Sequence, residues 1–99
     1  MIVEFTAAAL ADLQSIGDYI AQDNPSRAVS FVQDLSRSCM DIGDMPLAWP
    51  IVPRYEHLGI RRRVHGRYLI FYSVAAGRIT IIHVFNGAMD IDALMFPDG

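Results

Sequence analysis

Arginine carries most of the reactive side-chain chemistry in this chain. Four of the eight basic residues, Arg61, Arg62, Arg63 and Arg67, lie between positions 61 and 67, and no lysine occurs anywhere. Guanidinium groups gathered this way could neutralise a crowded phosphate during metal-free cleavage, with His83 as the proton-transfer group such a reaction needs. The bland readings stand beside it. An arginine run on an edge strand is commonly solvated or paired with helix carboxylates, and it deters unwanted strand addition. A lone His on a strand is commonly a satisfied structural residue. The sequence has no Cys or His cluster at metal-ligand spacing, no Gly-rich phosphate loop and no recognisable Ser-His-Asp arrangement. No catalytic residue, metal site or cofactor is assigned.

Bulk properties narrow the field further. A chain of 99 residues is expected to form one domain over its whole length. It is 53% hydrophobic and 19% charged, with mean hydropathy +0.27. That is apolar for so small a soluble protein, and the excess points to surface shared with a partner. No apolar run approaches the ~20 residues that span a bilayer, and no secretion signal is expected. The single cysteine, Cys39, rules out an internal disulfide and suits a reducing compartment, so the cytoplasm is the expected location. A net charge of −3 disfavours non-specific phosphate-backbone binding.

These groups need a scaffold, and the spacing of apolar residues supplies one. Met1 to Phe5 reads as a strand, and Thr6 is a plausible cap for a helix over 7–22 with the stripe Ala9, Leu13, Ile16, Ile20. Asn24 and Pro25 start a second helix with the stripe Ala28, Phe31, Val32, Leu35, Cys39, Ile42, and Gly43 is its expected C-terminal cap. So short a link makes the pair an antiparallel hairpin. Met45 to Glu56 carries three prolines and reads as a crossing loop pinned by Trp49 and Tyr55. Strands on either side of His65-Gly66 and of Ala76-Gly77 then give a three-stranded meander ending near Phe85. Asn86-Gly87-Ala88 turns the chain into a tail, 89–96, with room for one or two helical turns. The expected class is α+β, an N-terminal strand and a helical hairpin packed on one face of an antiparallel sheet completed by the meander.

Pairing across those turns puts Ile60, Arg62, Val64, Arg67, Leu69, Phe71, Ile82 and Val84 on one face. Arg61, Arg63, Tyr68, Ile70, Tyr72, Val74, Ile79, Ile81, His83 and Phe85 fall on the other. Both faces are apolar, yet the hairpin can cover only one. The second is expected to be an arginine-rimmed patch open to a partner protein. A self-association face or a better-fitting tail are the alternatives.

The order of elements resembles the RelE/ParE superfamily of toxins from bacterial toxin–antitoxin pairs. The likeness rests on Asp12-Leu13, Ile16 and Tyr19-Ile20 in the first helix, and on Asn24-Pro25, Ala28 and Phe31 in the second. Further on it uses Gly59-Ile60-Arg61, Val64 to Tyr72, and Asn86-Gly87-Ala88-Met89-Asp90. It looks most like the ParE branch, although Asn86 stands where that branch often has His. The RelE branch carries an arginine where this chain has Leu69, and the tail here is acidic at Asp90, Asp92 and Asp98.

This resemblance implies a cytoplasmic toxin that poisons DNA gyrase without catalysis and is neutralised by a ParD-like antitoxin. No direct specific binding of nucleic acid by the toxin alone and no membrane association are expected. The expected antitoxin contacts are Ile60, Leu69, Phe71, Ile82, Val84 and Tyr19, and the expected target contacts are Arg61, Arg62, Arg63 and Arg67. A RelE-like endoribonuclease acting on the ribosome, or a non-toxic binding module, are the alternatives.

Overall fold

The computed structural model describes residues 1–88 and 94–95. Its elements are β1 (Ile2–Phe5), α1 (Ala7–Ala21), α2 (Pro25–Asp41), β2 (Ile60–His65), β3 (Tyr68–Ala75) and β4 (Arg78–Asn86). The local signals act as their chemistry requires. Thr6 Oγ accepts the Ala9 N–H at 2.9 Å, and Asn24 Oδ1 accepts the Arg27 N–H at 3.0 Å, with Pro25 in the first turn. Between the helices, Gly17 allows close approach, since a Cβ there would stand 3.2 Å from Val32 Cγ2.

The expected α+β architecture is present, and the sheet order is β1-β4-β3-β2. β1 runs parallel to β4 while the other pairs are antiparallel, so the sheet is mixed. Gly43 differs from its expected part. α2 gives way at Ile42 to a single 3-10 turn, and the Met1 ammonium donates to the Gly43 carbonyl at 3.0 Å. A Cβ on Gly43 would come within 2.8 Å of the Met1 carbonyl oxygen. Glycine is needed there for close approach.

Two features of the meander depart from the sequence reading. The first hairpin turns at Gly66-Arg67, with His65 opposite Tyr68 and Val64 opposite Leu69. Moving a turn by one residue changes each pairing by two positions, so the face assignments in β2 and β3 survive. In β4 they do not. Tyr72 pairs with Ile81 and Phe71 with His83, leaving Ile82 as the extra residue of a bulge. Beyond it the faces exchange. Val84 turns toward the helices and is 2% exposed, while Phe85 joins the opposite side.

That opposite side is only partly open, with Val64 exposed at one end. Phe71 is 1% exposed, in a second core with Val52, Ile60 and Phe85 that Tyr55, Leu69, Ile82 and Met95 flank. The Pro-rich loop supplies this lid because β2 holds it along its outer edge. Val52 N–H donates to Ile60 C=O at 2.9 Å and Arg62 N–H to Pro50 C=O at 3.1 Å. On the helix side, Leu13, Leu35, Cys39, Ile70, Tyr72 and Ile81 form the main core. The Tyr72 hydroxyl donates to Pro46 C=O at 2.7 Å, and burial raises its pKa against the pull of nearby Arg61 and Arg63.

Candidate interaction site

The arginine run divides by strand alternation. Arg61 and Arg63 point to the helix side and are used there. Arg61 Nη1 donates to Trp49 C=O at 2.6 Å and Arg63 Nη1 to Ser38 C=O at 2.7 Å, with the Arg63 guanidinium 4.4 Å from the Trp49 ring centroid. Arg62 stands opposite Phe71 and is half-buried, whereas Arg67 is exposed in the turn. The four cations therefore do not converge on one point.

His83 is held as well. Its Nδ1 lies 2.8 Å from Asp12 Oδ2, and its ring stacks on Phe85 with centroids 4.5 Å apart. The Asp12 carboxylate also accepts the Val84 N–H at 3.0 Å. Near the other end of the hairpin, Ser38 Oγ and His65 Nδ1 share a hydrogen at 2.7 Å. Cys39 is fully buried, and burial pushes its thiol up to about 12 despite Arg63 nearby. Among the described residues no group of three or more His, Cys, Asp or Glu is placed to hold a metal.

Asp12 marks where a different kind of site begins. β1 ends at Phe5, but β4 continues to Asn86. The Thr6 N–H bonds Ile81 C=O at 3.1 Å, closing the ladder between the two strands. After that, side chains replace the strand. The Thr6 hydroxyl donates to Ile82 C=O at 2.8 Å, and Asp12 takes the Val84 N–H. Beyond Asp12 a groove of about 430 Å³ lies between α1 and β4. Asp12, Ser15, Ile16 and Tyr19 form its helical wall, Val84, Phe85 and Asn86 its strand wall, and Tyr68 and Leu94 also line it. Tyr19 is 69% exposed.

The sequence-derived contact residues are thus split. Tyr19 and Val84 line this groove, although Val84 does so from the buried core and not from a second open face. Ile60, Leu69, Phe71 and Ile82 belong to the core beneath the loop. Sequence reasoning passed over Asp12, Tyr68 and Asn86 as groove residues. Asp12 beside the stripe residue Leu13 was the available sign, a carboxylate placed where the helix meets the sheet.

The arrangement is an apolar trough with an exposed tyrosine at its rim and a strand along one wall. Among the described residues no helix is long and apolar enough to cross a membrane. No curated protein matches the chain. Among solved structures, a chain titled as a chromosomal ParDE TA system from P. aeruginosa superposes with TM-score 0.74 at 24% identity, covering 87% of this chain and 95% of that one. At that identity the likeness supports the fold. The family model described as the ParE toxin of type II toxin-antitoxin system, parDE, matches residues 3–91. The chain therefore belongs to the ParE branch of the RelE/ParE toxins, the toxin components of type II toxin–antitoxin systems.

Proposed function

We propose that this toxin arrests growth in the cytoplasm by binding DNA gyrase, without catalysis of its own, until a ParD-like antitoxin covers it. The family match over residues 3–91 carries the reading. The state of the candidate catalytic groups supports its non-enzymatic half. Arg61 and Arg63 are spent on backbone carbonyls, and His83 is held by Asp12 and Phe85. Arg62 and Arg67 are the members of the run left for a target contact. For the antitoxin, Tyr19 is retained as a contact and the α1–β4 groove takes the place of the sheet face. Ile60, Phe71 and Val84 are 5%, 1% and 2% exposed and offer a partner little surface, while Leu69 and Ile82 are only partly buried.

The test is expression of the chain alone and with the product of the adjoining reading frame. The reading expects growth arrest, loss of supercoiling by purified gyrase on adding the toxin, and rescue by the neighbour's product. Arrest with normal supercoiling and cleaved messages would overturn it in favour of a ribonuclease.

A further inference from the structure

We infer that the outer edge of β2 past Arg62 is a strand-addition site for the toxin's target, and that its occupant is an extended protein segment with acidic residues set against Arg62 and Arg67. This rests on the reading above that a target protein meets those two arginines.

The backbone is the first argument. Along the outer edge of β2, the Ile60 C=O accepts from Val52 N–H at 2.9 Å and the Arg62 N–H donates to Pro50 C=O at 3.1 Å. Pro50 has no N–H to return that bond, so the loop's ladder stops there. Peptide groups of alternate residues face the same edge, which puts the Arg62 C=O and the Val64 N–H and C=O next in the row. Arg61, Arg63 and His65 turn theirs to β3, opposite Tyr72, Ile70 and Tyr68. Among the described residues these outward groups of Arg62 and Val64 have no hydrogen-bond partner. Unpaired strand-edge groups are a template for another chain.

Side chains frame the same stretch. Val64 is 59% exposed and shares the loop side of the sheet with half-buried Arg62, while Arg67 follows in the turn and is exposed. Leu69, opposite Val64, is only partly buried. Arg61 and Arg63 on the other face bond neutral carbonyls of Trp49 and Ser38, which leaves their charge in place. Among the described residues no carboxylate pairs with any of these arginines. An extended peptide meets both demands at once, because its main chain bonds the edge while alternate side chains reach Val64 and the guanidiniums. A helix satisfies its own peptide groups and would leave the edge unpaired.

Charge chooses among occupants. Two copies joined through this edge would bring both sets of Arg61, Arg62, Arg63 and Arg67 together, and like charges across a strand pair repel. A phosphate backbone supplies acceptors but no donors for the outward carbonyls, and the net charge of −3 opposes it. An acidic protein segment satisfies the peptide groups and the cations together. The α1–β4 groove lies at the opposite border of the sheet, so the antitoxin contact proposed there does not use this edge.

The test uses the full chain with purified gyrase holoenzyme as probe, and the purified product of the adjoining reading frame as control. Val64→Pro removes the outward N–H, which no described group uses, and an edge strand tolerates proline where its N–H faces solvent. Val64→Thr keeps that N–H and the branched shape. The inference expects Val64→Pro to weaken gyrase binding by about tenfold or more and Val64→Thr by no more than about twofold, with both binding the control protein as the native chain does. Arg67→Glu should weaken gyrase binding by about tenfold, with the greater loss at low salt. A folded Val64→Pro chain that binds gyrase normally overturns the inference and leaves the gyrase reading intact. If that variant fails to fold, amide exchange at Val64 in the native chain decides, slowing in the gyrase complex supporting the site and unchanged exchange overturning it. Failure of the native chain to bind gyrase overturns both. Protection of the Val64 amide by the control protein, or in a dimer of the chain alone, gives the edge to that occupant and overturns the target.

Discussion

The two borders of the meander handle the same difficulty in different ways. At the outer edge of β2, the chain covers the first part of its own strand, at Ile60 and Arg62. Pro50 and Val52 bond its peptide groups, Arg61 grips Trp49, and Arg63 ties Trp49 to the end of α2. At the far end of β4, among the described residues, two side chains bond the strand, Thr6 and Asp12. A loop rich in proline can lay its backbone against the start of a strand, whereas a helix departing from Thr6 drops single side chains onto one. The difference explains why Ile60 and Phe71, on the sheet surface that looked exposed, are buried while Leu69 and Ile82 beside them are only partly covered.

If the loop is an integral lid, breaking the core beneath it should cost most. Phe71→Ala should destabilise the fold by about 3–5 kcal/mol in chemical unfolding, the usual price of deleting a buried aromatic. Asp12→Ala comes next, at about 1–3 kcal/mol, because it leaves the Val84 N–H without its acceptor and releases His83. Its effect should fall together with that of His83→Ala in a double-mutant cycle, since the two share one contact. Arg63→Ala should cost about 1 kcal/mol and shift Trp49 fluorescence toward the red as the loop loosens. Smallest of these is Tyr19→Ala, within about 0.5 kcal/mol for stability at so exposed a site, but with weakened antitoxin binding. A large stability loss there would mean that the groove wall belongs to the core.

Cys39 gives a pH signature confined to the helix-side core. Its thiol is raised from 9.0 to about 12 by burial, so the folded state holds the proton more tightly than the unfolded chain. The contribution is therefore present in full below about pH 9 and is lost as pH rises toward 12. Stability should fall across that window in the native chain and fall less in Cys39→Val, while the native thiol stays slow to react with alkylating reagents.

Much of this was legible in the residues themselves. Thr6, Asn24 and Pro25 are local signals, and the stripes through Leu13 and Leu35 fix the hairpin by periodicity alone. The strands and their turn glycines, Gly66 and Gly77, are local too. What escaped was non-local. Nothing in Ile81-Ile82-His83 announces a bulge, which coincides with bonds from Thr6 and Asp12, more than 70 positions earlier. One misplaced residue then sent Val84 to the wrong face and hid the groove. The loop-side lid escaped for a similar reason. Its seat depends on Arg61 and Arg63 reaching backbone carbonyls, and a guanidinium does not reveal in sequence whether it will meet solvent, a partner or a carbonyl.

Amide exchange measured on the toxin alone and in complex with its neighbour's product compares the two borders directly. The Arg62 amide, bonded to Pro50, should exchange slowly in both states, while that of Asn86 should exchange freely in the toxin alone and slow by about a hundredfold or more in the complex. Equal exchange at Asn86 in the two states would contradict the account.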